Sequence, residues 1–363
     1  MKKTLLASAV AAGCLGISSL AQADITLFGH LDESIIAWDE DTGVNKFSGG
    51  AGGNDDITLA CTTCSVGFKG SEDLGNGLKA IFKLDFQFDI NNRNRVSGGA
   101  GTGAITDRDQ WVGLAGEGWG SVKFGSISSG YKSTGAMIDP VYRTVAQARD
   151  MGLQSNLHSG AGENGQGRMT NHIRYDSPSF SGFKAIVDYT LDGNDTDGSS
   201  DNAWALTGLY KNGPIVAFAS YITSDQGGND DAWKIGGSYA VTDELKVFGQ
   251  YESDGGLISA SEGFGGASIR NEGGQNPNNV DGADIWHIGA TYNLGNNLVY
   301  FAYGRGDDAS GNGTTYDVSY STWSLVGAHM FSKRTMLYAG FVQQDFDATG
   351  EADVFALGMK HKF

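Results

Sequence analysis

Ala352-Asp353-Val354-Phe355-Ala356-Leu357-Gly358-Met359-Lys360-His361-Lys362-Phe363 ends the chain. Apolar side chains return here at every second position, at Phe355, Leu357, Met359 and Phe363, with Ala356, Gly358, Lys360 and Lys362 between them. Period 2 is the repeat of a β-strand, whose successive side chains face opposite sides. A half-apolar terminal strand leaves an unpaired edge that needs a partner. A closed barrel removes that edge by pairing the last strand with the first. The expected fold is therefore all-β, a transmembrane β-barrel.

The amino end agrees. Met1-Lys2-Lys3 is a short basic region, Leu5 to Leu20 is apolar and broken only by small residues, and Ala21-Gln22-Ala23 is a small-x-small cleavage site. Residues 1–23 read as a secretory signal peptide, leaving a barrel domain of 24–363. Cys14 departs with the leader; the apolar run continues past it through Leu15-Gly16-Ile17, unlike a lipoprotein signal. Losing Lys2 and Lys3 leaves 23 basic against 42 acidic side chains, a net charge of -19. That balance argues against a nucleic-acid partner. Glycine is abundant (56) and proline scarce (4), as suits many antiparallel strands joined by tight turns. After the leader no apolar run approaches the ~20 residues of a spanning helix.

Period-2 segments recur along the mature chain. In 24–38, Ile25, Leu27, Leu31 and Ile35 oppose Thr26, His30, Asp32 and Ser34; in 78–88, Leu78, Ala80, Phe82, Leu84, Phe86 and Phe88 oppose Lys79, Lys83, Asp85 and Gln87. One face is too apolar for water and the other too charged for a core, so lipid outside and water inside account for both. With further segments at 57–69, 107–116, 119–128, 168–176, 182–192, 203–212, 214–224, 231–241, 245–254, 283–292, 297–306, 319–331, 334–345 and 352–363, the expected count is 16 antiparallel strands. Short turns alternate with long connections at 40–55, 91–106, 129–167, 192–201, 225–230, 253–282, 307–318 and 347–351, which places both termini at the short-turn, periplasmic side. Trp38, Phe47, Tyr175, Phe180, Tyr189, Tyr210, Tyr239, Tyr292 and Tyr338 fall near strand ends and are expected in the interfacial girdles.

Cys61 and Cys64 lie in Ile57-Thr58-Leu59-Ala60-Cys61-Thr62-Thr63-Cys64-Ser65-Val66-Gly67-Phe68, which reads as strand. Residues three apart on a regular strand face opposite sides, so a disulfide requires a bulge or bend. Leu59 and Cys61 share one parity, Val66 and Phe68 the other. A small structural disulfide, free thiols and a metal or redox site all stay open.

Several segments carry a family likeness. They are Asp24-Ile25-Thr26-Leu27-Phe28-Gly29-His30-Leu31-Asp32, the stretch from Val66 to Ala80, Arg108-Asp109-Gln110-Trp111-Val112-Gly113-Leu114-Ala115-Gly116, Gly120-Ser121-Val122-Lys123-Phe124-Gly125, the stretch from Tyr175 to Phe183, and the terminal Phe363. Across 24–363 the chain resembles the sixteen-stranded trimeric general-diffusion porins of Gram-negative bacteria, in their neisserial and beta-proteobacterial branch. The resemblance implies a multi-pass protein of the cell outer membrane that passes ions and small hydrophilic solutes by diffusion. It implies a third extracellular loop folded into the lumen, with acidic groups facing basic groups on the wall. It also implies a homotrimer in lipid and lipopolysaccharide, and a terminal Phe363 read by the barrel assembly machinery. The chain departs from the family pattern at Ser65, where Arg is common, and at Asp139-Pro140-Val141-Tyr142-Arg143 in the third loop.

Selectivity in a pore is electrostatic filtering at a narrow ring. Seven of the ten arginines fall between Arg93 and Arg174: Arg93, Arg95, Arg108, Arg143, Arg149, Arg168 and Arg174. Arg108 matches the inward arginine of the resembling motif. Lys79 and Lys83 sit opposite the lipid-facing ladder, and Lys123 joins them as a candidate. Facing carboxylates are expected from Asp139, Asp150 and Glu163, with Asp85 paired to a wall lysine. This cluster predicts a weak to moderate anion preference. The Asp-rich stretches 192–201 and 225–231 could collect a structural Ca²⁺, although neither has a complete binding-loop spacing; otherwise no cofactor is expected. His30, His158, His172, His287, His329 and His361 are scattered, and no nucleophile elbow, phosphate loop or metalloprotease motif occurs, so an enzyme is not expected. Competing readings are a channel preferring phosphate, another small anion or an oligosaccharide, and a surface adhesin or phage receptor.

Overall fold

A computed structural model describes residues 24–41, 55–88, 90–91, 105–159, 167–191, 202–224, 230–260 and 280–363. The expected leader lies outside the described residues. The strands form a closed, antiparallel barrel of sixteen. They are β1 (Asp24–Glu40), β2 in two pieces (Asp55–Cys61 and Ser65–Gly75), β3 (Leu78–Phe88), β4 (Ile105–Gly116), β5 (Gly120–Ser128), β6 (Arg168–Asp176), β7 (Phe183–Thr190) and β8 (Ala203–Asn212). They continue as β9 (Ile215–Ser224), β10 (Asp230–Ala240), β11 (Leu245–Gly255), β12 (Ile285–Leu294), β13 (Asn297–Gly306), β14 (Tyr320–Met330), β15 (Thr335–Phe346) and β16 (Gly350–Lys362).

The terminal strand closes the barrel as its alternation demands. β16 pairs with β1 from His30↔Lys362 to Glu40↔Ala352. Phe363 completes the seam: its N–H donates to the Gly29 carbonyl at 3.0 Å, and the Gly29 N–H donates to the Phe363 carbonyl at 3.1 Å. Phe355 and Met359 are 49% and 50% exposed on the outer face, whereas Ala356 and Lys360 are 2% and 6% exposed on the inner face. No backbone edge is left for lipid, which cannot supply hydrogen bonds. Gly29 is required here because a Cβ would lie 2.5 Å from Phe363 Cζ and 2.4 Å from the Ser65 carbonyl; the aromatic ring covers the bare glycine backbone.

Three details differ from the alternation read along the chain. First, β2 is interrupted at Thr62–Cys64. Glu33 faces Cys61 but His30 faces Ser65, so β2 spends one more residue than β1 over this interval. The extra residue accounts for the parity switch between Leu59 and Phe68, which are both exposed on the outer face. The bend brings the Cys61 and Cys64 side chains together, with Cα atoms 5.8 Å apart. Second, the connection expected to be long at 347–351 is a tight turn, with Gly350 at φ +110°. Third, Tyr338 belongs to the inner face, where its hydroxyl donates to Asp32 Oδ1 at 3.1 Å, and Trp38 packs against buried core residues. Neither belongs to the girdle, because each shares parity with buried neighbours. Phe47 lies outside the described residues. Toward the long-loop end the outer belt is instead built from pairs on neighbouring strands: Trp204–Tyr221, Trp233–Tyr251, Trp286–Tyr303 and Trp323–Phe341, with ring centroids 5.2–5.8 Å apart.

Replacing Gly29 by Val is expected to destabilise the seam by about 1–3 kcal/mol through overpacking against the Phe363 ring and the Ser65 carbonyl. The measurement is the temperature at which the detergent-folded barrel loses its compact gel mobility. A transition unchanged from the parent would contradict the packing.

Candidate functional site

The inner face of β3–β6 concentrates charge, and a bulge in β4 is the reason. Leu84 pairs with Gln110 but Phe86 pairs with Asp107, leaving two residues of β4 opposite Asp85. From Val112 and Leu114, both on the outer face, simple alternation would send the Arg108 side chain into lipid. The bulge turns Arg108 inward beside Asp109, which already shares the inward parity of Trp111 and Gly113. Arg108 Nη1 donates to Gln87 Oε1 at 2.6 Å, and its Nε lies 3.5 Å from Asp85. Asp109 is gripped between Lys83 Nζ at 3.0 Å and Arg168 Nε at 2.9 Å, and also accepts the Ser128 N–H and hydroxyl.

Below this pair a second carboxylate gathers cations. Both Asp176 oxygens accept from Arg174, at 2.9 Å each, and Lys123 and Lys184 each stand 2.8 Å away. Asp85 meets Lys83 at 3.4 Å and Arg143 at 3.9 Å. Among the described residues, three carboxylates, Asp85, Asp109 and Asp176, are thus met by seven cations: Lys83, Arg108, Lys123, Arg143, Arg168, Arg174 and Lys184. The excess is positive although the whole chain carries a formal charge of -17.

The segment after β5 contributes from the other side. Ser129 caps α1 (Gly130–Met137) by accepting the Lys132 N–H at 3.1 Å, and Asp188 of β7 accepts the Gly130 N–H at 2.8 Å. Beyond α1 the chain runs in turns to a single 3₁₀ turn at Asn156–His158. Its apolar residues, including Ile138, Val141, Met151 and Leu153, share one buried cluster with Ile36, Phe218, Phe248, Tyr300 and Val342. Polar contacts repeat the pattern: the Tyr320 hydroxyl donates to the Gly152 carbonyl at 2.6 Å, and Thr322 to the Met151 carbonyl at 2.9 Å. Glu252 of β11 is fully buried and accepts from the Tyr131 hydroxyl at 2.9 Å and the Ser155 N–H at 3.0 Å. Lys234 Nζ contacts His158 Nε2 at 2.7 Å and lies over the Tyr131 ring.

The expected site residues are distributed as follows. Arg108, Lys83, Asp85, Lys123, Arg168 and Arg174 meet on the wall, and Arg143 reaches them from the segment. Arg149 is nearly buried, with Nη1 on the His158 carbonyl at 3.1 Å and its guanidinium over the Tyr142 ring; its Nε lies 3.6 Å from Asp150. Asp139 is bound to its own segment, accepting the Val141 N–H at 3.0 Å and the Ala148 N–H at 2.9 Å. Burial pushes its carboxyl up to about 6 against these hydrogen bonds. Lys79 is exposed near the short turn at Asn76-Gly77. Arg93, Arg95, Glu163, the stretch 192–201 and most of 225–231 lie outside the described residues; within the latter, Asp231 accepts the Tyr221 hydroxyl at 2.7 Å. Residues not singled out from sequence are Asp109, His30, Lys234, Glu252 and Lys360. Parity alone marks Lys234, between outward Trp233 and Ile235, and Lys360, after outward Met359.

A closed sixteen-stranded barrel with an apolar outside and a charged inside invites comparison with known proteins. A family model described as Gram-negative porin matches residues 7–349. The chain belongs to that family. It is similar to an outer membrane porin protein of Bordetella pertussis, 29% identical over all of both chains, and to the major outer membrane protein P.IB of Neisseria gonorrhoeae, 27% identical over all of both. Among solved structures it shares its fold with an anion-selective porin from Comamonas acidovorans, with a TM-score of 0.69 and 21% identity over 94% of this chain and 100% of that one. This porin is therefore an outer-membrane protein that crosses the membrane many times by strands, and a channel for small solutes rather than an enzyme.

Replacing Glu252 by Ala removes the acceptor shared by Tyr131 and Ser155. Hydrogen bonds to a buried charge are worth about 1.5–3 kcal/mol. Hydrogen exchange at the Ser155 amide is expected to accelerate at least about ten-fold, since ~1.4 kcal/mol is a factor of ten. Unchanged exchange there would contradict the anchoring role.

Proposed function

We propose that the segment from Ser129 onward is the third extracellular loop folded into the lumen, and that the narrowed pore conducts with weak to moderate anion preference. The observation that carries the preference is the excess of seven lysines and arginines, six on the β3–β7 wall and Arg143 from the segment, over the four carboxylates Asp85, Asp109, Asp176 and Asp188 among the ion pairs there. The contacts of Met151 and Gly152 with β14 support the loop's position across the barrel. Burial would raise the Tyr142 phenol, yet the charges of Arg149, Arg143 and Arg108, together with a hydrogen bond from Arg143, hold it below its ordinary range, in keeping with positive charge around it.

The remaining parts of the reading follow the family. The leader is cleaved after Ala23, and the mature chain assembles as a homotrimer in lipid and lipopolysaccharide, with Phe363 serving the assembly machinery. Cys61 and Cys64 form a disulfide, as the oxidising periplasm favours. Alkylation of the denatured mature protein is expected to add nothing before reduction and two groups after it; two groups added without reductant would remove the disulfide.

Reversal potentials across a salt gradient test the preference. A unit charge at 4 Å is worth about 1 kcal/mol even in bulk water. Arg108→Gln and Arg143→Gln are each expected to lower the anion-to-cation permeability ratio by roughly two- to five-fold. A cation-selective parent channel would sink the proposal.

A further inference from the structure

We infer that the Cys61–Cys64 turn is a positioning element for the pore: through Thr63 and His30 it fixes where Arg143 stands. The inference rests on the reading of residues 129–159 as the pore-narrowing loop. Thr63 sits in the bend between the two pieces of β2 and is buried, with only 4% exposure. Its hydroxyl oxygen lies 3.0 Å from His30 Nε2. The Arg143 Nη1 lies nearer the other ring nitrogen, 2.6 Å from Nδ1 against 3.3 Å from Nε2, and Nδ1 also meets the Ser65 hydroxyl at 3.2 Å. A guanidinium can only donate, so Nδ1 must accept, and the ring hydrogen belongs on Nε2, where it donates to Thr63. The Thr63 hydroxyl accepts that hydrogen and so holds the ring in the tautomer and orientation that receive Arg143.

Arg143 needs such a support. Its backbone lies at φ +64°, in the left-handed region that non-glycine residues occupy at a cost. Its N–H is held by Gln147 Oε1 at 3.0 Å, and its Nη2 reaches toward Asp85 at 3.9 Å. The Arg143 side chain therefore ends beside Ser65, 3.5 Å from its hydroxyl. The Ser65 hydroxyl is neutral, and the cation beside it is Arg143, delivered from the loop. The extra residue that bends β2 is what turns Thr63 inward to His30. Joining Cys61 to Cys64 holds that bend closed.

The test measures the anion-to-cation permeability ratio of the purified channel for Arg143→Gln alone and for Thr63→Val, Thr63→Ser and Cys61→Ala with Cys64→Ala, each alone and combined with Arg143→Gln. Folding is monitored in parallel by heat-dependent gel mobility. Thr63→Val and the double cysteine variant are expected to shift the ratio toward cations by roughly half the fold-change of Arg143→Gln or more, with no added effect in the Arg143→Gln background, as coupled residues behave. Thr63→Ser retains the hydroxyl and is expected to restore the parent ratio. If Arg143→Gln shifts the ratio while Thr63→Val and the cysteine pair do not, the positioning role is overturned and the loop reading stands. If Arg143→Gln itself changes nothing, both are overturned. Full additivity with Arg143→Gln would also overturn the positioning role, because a generally loosened barrel changes selectivity without regard to Arg143.

Discussion

Every feature of this barrel depends on one pairing, that of the terminal strand with β1. Because β16 hydrogen-bonds to β1 along its length, the sheet has no edge, and inner and outer faces are defined for all sixteen strands at once. Lipid then requires the outer positions to be apolar or, near the rims, aromatic. Charge can gather only inside. The Gly29–Phe363 contact is a small instance: the closing residue lays its ring over the one outward position of β1 that has no side chain.

Given that frame, charge is placed by local violations of the strand repeat. The bulge in β4 adds one residue opposite Asp85 and so gives the pore Arg108 beside Asp109. Without it Arg108 would face lipid. The bend in β2 likewise turns Thr63 inward. In both places one extra residue, rather than a change of residue type, brings a polar group into the barrel. The resulting wall is not a row of free cations. Each carboxylate bridges two or three of them, which fixes long side chains in position while leaving the sum positive.

Much of this is legible in the sequence, and the limits have physical causes. Strand positions follow from period-2 alternation, which survives over Leu78–Phe88 and Phe355–Phe363 without interruption. The inward orientation of Lys83 and Asp85 follows from the same rule. Arg108 could be placed only through its family motif, because alternation alone puts it on the wrong face. Asp109 shares the inward parity of Trp111 and Gly113, opposite the exposed Val112 and Leu114, so alternation could have marked it. Tyr338 and Trp38 show that proximity to a strand end does not make an aromatic residue part of a girdle; parity decides. The segment from Ser129 to Ser159 has little periodicity because its partners are remote in sequence, as with Arg143 and His30, 113 residues apart, and Tyr142 and Lys360, 218 apart. Glu252 and Lys234 carried a parity signal, but their role depends on a loop whose course no local pattern states.

The proposed pore loop is tied to β14 at Met151 and Gly152. The most direct measurement pairs Met151→Cys with Thr322→Cys in a background lacking Cys61 and Cys64, bridges the two thiols in the folded channel with a short bifunctional thiol reagent, and records single channels. The cross-link is expected to form in the folded channel and to leave its conductance at the value of the unlinked form, because the Thr322 side chain already meets the Met151 backbone. Failure to cross-link, or a conductance that changes when the link closes, would contradict that contact.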